Sequence, residues 1–345
     1  MDTFLFANPP KTARPMVRWW WPGLDVREEE LIRELDEMDD ALRPDRGRDG
    51  MRAAMRRPMT TDPSQASFAL SAFGDEIVVD FESQLQCLRE LNVGWLDLRA
   101  AWGVGVLHLD DDRVARVHHL YHTYGIRIAC IGSPVGKSPI TDPLEVELAN
   151  LERIFRIAER VGTRLIRVFS FYPPRGTPEA GYDACLAGSA SRLRRMVELA
   201  KRDGFRLVLE NEKGIVGDTV ARCHALMTAV GPADLGFAWD TANFVQVGEA
   251  RLVERGWPLL GPYIEHVHVK DAFLADGHVC VAGAGEGQVR ELLAALRDRR
   301  YQGFLSLEPH LTIAGHSSGF SGPDGMALAV EALRGLMAEA GCAEL

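Results

Sequence analysis

From Ser67 onward, short apolar runs alternate with longer stretches whose apolar residues recur at helical spacing. The runs at 68–72, 94–99, 126–132, 164–170, 206–210, 235–240, 264–269 and 303–307 read as strands. Because they are apolar along their length, they imply burial on both faces, as in a parallel sheet. Helices are expected at 80–91, 110–123, 142–161, 184–201, 218–229, near 249–255, at 287–299 and at 325–340. In the first, Phe81, Leu85, Leu88 and Leu91 share one face, and Asp110 or Asp111 caps the second. Eight strands alternating with eight helices predict a single (β/α)8 barrel over about 66–342. An open doubly wound sheet is the alternative, but no G-x-G-x-x-G follows the first strand. The glycines of Gly283-Ala284-Gly285-Glu286-Gly287 follow the seventh strand and read as a loop of close backbone approach.

Residues 1–65 do not share this rhythm. RPMVRWWWPG is followed by an acidic helical pattern, VREEELIRELDEMDDAL, and then by a polar stretch rich in Arg, Pro and Asp. The expectation is an N-terminal extension, partly helical and partly disordered, poorly integrated with the barrel. Residues 14–42 weakly resemble the opening of α-L-rhamnosidase-type glycoside hydrolases, a likeness that fails after Ala41.

Composition narrows the class. At 46% apolar and 26% charged, the 345 residues are ordinary for a soluble globular chain. No apolar run approaches the roughly 20 residues that span a bilayer, so no membrane partner is expected. A net charge of −10 weighs against nucleic acid bound by phosphate neutralisation. Six cysteines without a C-x-x-C pair, and no basic-then-apolar leader pattern, suit a reduced, cytoplasmic protein.

Four runs end in metal-type ligands: LVLE at Glu210, FAWD at Asp240, HVH at His268 and LSLE at Glu308. Their spacings of 30, 28 and 40 residues are each about one strand-plus-helix unit. At the carboxyl ends of successive barrel strands, four such donors would converge on one point. Three carboxylates and one imidazole suit a hard or borderline divalent ion, Mn2+ first, with Mg2+, Co2+ or Zn2+ as alternatives. An acid after a strand also serves as a helix cap or a solvated turn, a reading that weakens with four in register. His266 and His268 share one strand face by the two-residue period, and His268 lies nearer the carboxyl mouth.

The stretches FGDEI, LDLR, IGSPVGK, RVFSFYPP, LENE, WDTANF, HVHVKDA and LSLEPHL give the chain from about 66 a resemblance to a family. It resembles the sugar phosphate isomerase/epimerase family, the xylose isomerase-like TIM barrels. The resemblance implies a metal held by Glu210, Asp240, His268 and Glu308, with His266 a supporting or core residue. It also implies an isomerase or epimerase acting on a keto-sugar or related polyol, a sugar or cyclitol. Proton transfer would pass through a metal-stabilised enediolate, with Glu210 and Glu308 addressing opposite faces of one carbon.

Arg99, Lys137, Arg167, Glu212, Asn243, Lys270 and His310 stand at or just past strand ends, where a substrate would lie. Many relatives carry histidine at one or both of the Glu212 and Asn243 positions, so the substrate of a ketose 3-epimerase does not transfer directly. Arg99 has a competing reading as a buried pair with Asp97, and Lys270–Asp271 as a surface ion pair. Arg99, Lys137 and Arg167 together are compatible with an anionic substrate. A metal-dependent lyase or dehydratase on a keto-sugar or keto-inositol would use the same residues. A phosphodiesterase like endonuclease IV needs a three-zinc cluster richer in histidine, and a non-catalytic barrel would not need a full ligand set. A homo-oligomer is compatible with the sequence.

Overall fold

The computed structural model describes residues 66–231, 233–311 and 321–345; the expectations for residues 1–65 lie outside the described residues. Eight strands form the barrel: β1 (Ser67–Phe73), β2 (Trp95–Leu98), β3 (Arg127–Gly132), β4 (Leu165–Val168), β5 (Arg206–Glu210), β6 (Gly236–Asp240), β7 (Ile264–Val269) and β8 (Gln302–Leu307). Neighbours in sequence are neighbours in space and parallel, and β8 pairs back onto β1 from Ser67↔Gln302 to Ala72↔Leu307. Closure leaves the barrel no free edge. The open-sheet alternative is thereby excluded.

The helices are α1 (Phe81–Glu90), α2 (Asp111–Tyr124), α3 (Leu144–Arg160), α4 (Leu186–Arg202), α5 (Val220–Val230), α6 (Thr241–Gln246), α7 (Leu252–Leu260), α8 (Val289–Asp298) and α9 (Gly322–Glu339). Side chains satisfy several of their first N–H groups, as helix starts require. Asp80 accepts from Ser83 N at 3.0 Å and Asp110 from Arg113 N at 2.8 Å. The sequence predicts one short helix between β6 and β7; the structure has two, α6 and α7. The reason is Asp240, which ends β6 and also caps α6 by accepting from Asn243 N at 2.8 Å. Six residues of TANFVQ are too few to display a helical period.

Alternate residues of each strand face opposite sides. Outward positions such as Leu207, Leu209, Phe237, Trp239, Val267, Leu305 and Leu307 join the apolar layer beneath the helices. Inward positions fill the barrel with a different chemistry. A small apolar group, Cys130, Val208 and Ala238, packs inside the barrel. Ser71, Asp97, His266, Arg167, Glu210, Asp240, His268 and Glu308 add a polar layer to the interior, each at most 5% exposed. Such burial of charge is tolerated only where groups are paired.

Candidate active site

Arg99, Lys137, Arg167, Glu212, Asn243, Lys270 and His310 all line one open cavity of about 350 Å³, together with Glu210 and Glu308. The four expected ligands meet behind it. One donor atom from each of Glu210, Asp240, His268 and Glu308 lies within 4.8 Å of the others. His268 Nδ1 stands 2.9 Å from Glu210 Oε1 and 3.8 Å from Glu308 Oε2. Lys270 Nζ stands 2.9 Å from Asp240 Oδ2 and 3.4 Å from Glu308 Oε2. The remaining oxygens of the two glutamates are held by guanidinium groups: Arg167 donates to Glu210 Oε2, and Arg99 to Glu308 Oε1.

This pairing sets the charge states. Burial alone would raise the Glu210 carboxyl, but His268 and Arg167 outweigh it and hold the group well below the carboxylate range. Glu308 is likewise lowered against its burial, by Lys270, His310 and Arg99. Asp240 differs. Burial pushes it up to about 6, with Lys270 opposing and Glu210 and Glu308 adding to the rise. Burial works against the Lys270 ammonium, yet Asp240, Glu308 and Glu210 raise it above the usual lysine value.

The lining is braced from behind. Arg99 Nε and Nη2 donate to Asp75 at 2.7 Å and to Glu76 at 2.8 Å. The expected Arg99–Asp97 pair does not form, because Asp97 is turned into the barrel, where it accepts from Ser71 Oγ and meets His266. His310 bridges two acids, with Nε2 3.2 Å from Glu308 Oε1 and Nδ1 3.3 Å from Glu76 Oε1. Lys137 Nζ donates to Glu212 Oε2 at 2.8 Å. Asn243 Nδ2 donates to the Asn211 carbonyl at 3.0 Å, and the Asn211 side chain exchanges hydrogen bonds with the Asp240 backbone at 2.8 and 2.9 Å.

Lys270 and Asp271 are not a surface pair. Both are buried, and Asp271 accepts from the backbone N–H groups of Ala272, Gly283, Gly285 and Gly287 at 2.9 to 3.2 Å. The glycine-rich loop is thus a nest closed around the chain's own carboxylate. Asp75, Glu76 and Asn211, and Lys213, Gln246 and Val279 on the cavity wall, were not among the residues expected at the site. FGDEI carried the same signal as the four ligand stretches, acids directly after an apolar run.

Three carboxylates and one imidazole, converging and buried, are a donor set fit for a hard divalent ion. The set already gathers a positive group: Asp240 Oδ2 and Glu308 Oε2 stand 2.9 and 3.4 Å from the Lys270 ammonium.

Comparison with known proteins agrees with this architecture. The model of the xylose isomerase-like TIM barrel family matches residues 86–336. A fructoselysine 3-epimerase from Escherichia coli O157:H7 is 28% identical over 123 residues, 34% of this chain and 44% of that protein, so the match spans less than half of its length. A D-tagatose 3-epimerase-like protein superposes with a TM-score of 0.63 at 17% identity, covering 79% of this chain and 98% of its own. A probable 3-DHS dehydratase from Bacillus anthracis gives 0.59 at 17% identity, over 78% and 98% of the two chains. A Mycobacterium smegmatis barrel in complex with magnesium gives 0.59 at 18% identity, over 81% and 99%. With eight parallel strands closed on themselves and the family model matched over most of its length, the chain belongs to the xylose isomerase-like TIM barrel family.

Proposed function

We propose that the chain is a divalent-metal-dependent isomerase or epimerase of a keto-sugar or cyclitol, with Glu210, Asp240, His268 and Glu308 as ligands. One observation carries the reading. Two buried glutamates from β5 and β8 flank the single imidazole of His268, each with one oxygen toward it and the other on a guanidinium. A divalent ion held there supplies a positive centre for the charge that develops on a substrate carbonyl oxygen.

The chain's own residues handle the proton. A carboxylate oxygen has two lone pairs, so Glu210 and Glu308 keep a place for a proton while Arg167 and Arg99 fix their orientation, although the same cations lower their basicity. In each direction one glutamate removes the proton next to the carbonyl, and the other delivers one to the opposite face. Lys137, Glu212, Asn243 and His310 offer hydrogen bonds to hydroxyl groups along the cavity. The similarity to a fructoselysine 3-epimerase and to a D-tagatose 3-epimerase-like protein supports epimerisation, and the magnesium in the Mycobacterium smegmatis barrel supports a metal.

Glu210→Gln and Glu308→Gln are expected to fold while losing substrate proton exchange in D2O by about 10²- to 10⁴-fold. Retained exchange in both variants would sink the assignment. The probable dehydratase neighbour supports a second reading, loss of a β-hydroxyl after the same proton abstraction. Lys270, a buried ammonium on the cavity wall, is placed to protonate the departing hydroxyl. Product mass over a panel of ketoses, keto-inositols and 3-keto-glycosides separates the two, since an epimerase conserves mass.

A further inference from the structure

Beside the four-donor centre, inside the barrel, lies a carboxylate that the proposed chemistry does not use. Asp97 is 1% exposed, and each of its oxygens has a defined neighbour. Oδ1 accepts from Ser71 Oγ at 2.5 Å, and Oδ2 stands 2.7 Å from His266 Nε2. The same Oδ2 is 4.0 Å from His268 Nε2. On the His268 ring, Nδ1 faces Glu210 and Glu308 at 2.9 and 3.8 Å, while Nε2 makes no hydrogen bond. The imidazole therefore presents one nitrogen to the acids and the other to Asp97. An edge-on contact with Phe73, ring centres 5.0 Å apart, limits its rotation.

We propose that Asp97 is the positioning residue of the metal centre: its carboxylate keeps His268 protonated on Nε2, so that the Nδ1 lone pair faces Glu210, Asp240 and Glu308. With a cation held among Glu210, Asp240 and Glu308, Nδ1 would turn its lone pair to that cation, and the negative charge of Asp97, 4.0 Å from Nε2, would favour the ring's one proton on that nitrogen. Partners of this kind orient a ligating histidine and raise its basicity, and losing them weakens metal binding about 10- to 100-fold. His266 has a different part. It supplies the short contact that holds Asp97 in place, which gives the two histidines of HVH separate duties.

The inference rests on the metal-centre reading above, and the experiment separates the two. Mn2+ binding is titrated calorimetrically on the full chain, on Asp97→Asn, and on His266→Gln, which keeps an amide donor for Asp97. The expected result is a 10- to 100-fold loss for Asp97→Asn, with its fold intact by circular dichroism, and near-parent affinity for His266→Gln. Equal affinity in Asp97→Asn and parent, or equal losses in both variants, overturns the inference while leaving the metal reading standing. A parent that binds neither Mn2+ nor Mg2+ overturns both. Nitrogen NMR of the histidines in the unmodified, Zn2+-loaded protein provides a readout independent of the variants' folding. His268 is expected to bind through Nδ1 and carry its proton on Nε2, and coordination through Nε2 overturns the proposal.

Discussion

At the scale of the residue, Asp240 is the one of the four proposed ligands whose charge is least secured. Burial raises its carboxyl from 3.8 to about 6, so the folded state holds that proton more tightly than the unfolded chain does. Stability from this proton is complete below about 3.8 and is lost as the pH rises through about 6. Ligands bind metal only when deprotonated, and His268 is also raised, despite its burial, by Glu210 and Glu308. Affinity for Mn2+ is therefore expected to climb between about pH 5 and 7 and then level off; a flat or falling profile contradicts the ligand assignment. Asp240→Ala is expected to fold and to lose its metal in elemental analysis, since Lys270 keeps Glu308 as a partner. Glu210, Asp240, His268 and Glu308 were legible in the sequence because each ends an apolar run at one-unit spacing. Asp97 was not, because what gives it meaning is remote: His266 is 169 residues away.

At the scale of the element, the loop after β7 shows how little side-chain material is needed to fix a segment. Asp271 gathers four backbone N–H groups, and three of them belong to glycines. A Cβ on Gly287 would lie 2.1 Å from Thr241 Cγ2 and 2.8 Å from Asp271 Oδ1. Gly287→Ala is accordingly expected to cost about 1–3 kcal/mol in urea unfolding, the range for overpacking a tight site. An unchanged midpoint would mean that the loop is free to move away. The glycine pattern predicted close approach, but its object was hidden, because an acid in the seventh strand's tail gave no sign of turning back. Strand and helix positions were otherwise readable, from apolar runs and from caps such as Asp80 and Asp110. The α6–α7 pair was not, because α6 is only Thr241–Gln246 and its cap, Asp240, also ends a strand.

At the scale of the whole molecule, the barrel joins two halves of opposite character at the cavity. β2 and β4 and the loop after β3 bring Arg99, Arg167 and Lys137, whereas β5, β6 and β8 bring Glu210, Asp240 and Glu308. The seam between β4 and β5 is bridged inside the barrel by Arg167–Glu210, side chains 6% and 2% exposed. Arg167→Met leaves that glutamate buried with His268 and the Asn243 amide close to it but no guanidinium, and breaking such a pair costs about 3–5 kcal/mol. Mn2+ is expected to restore part of the loss, because a ligand that binds only the folded state stabilises it. A melting temperature that stays low at saturating Mn2+ would separate Glu210 from the metal.

The division between the halves bears on how a new specificity can be introduced. The proposed ligands and the proposed proton-moving pair lie in the stretch from Arg206 onward, and three cations of the cavity wall lie before it. Randomising the loop around Lys137 while Asp97, Arg99 and Arg167 are kept is therefore expected to sample new recognition on an unchanged reaction centre, with the choice of sugar drifting while the chemistry is retained.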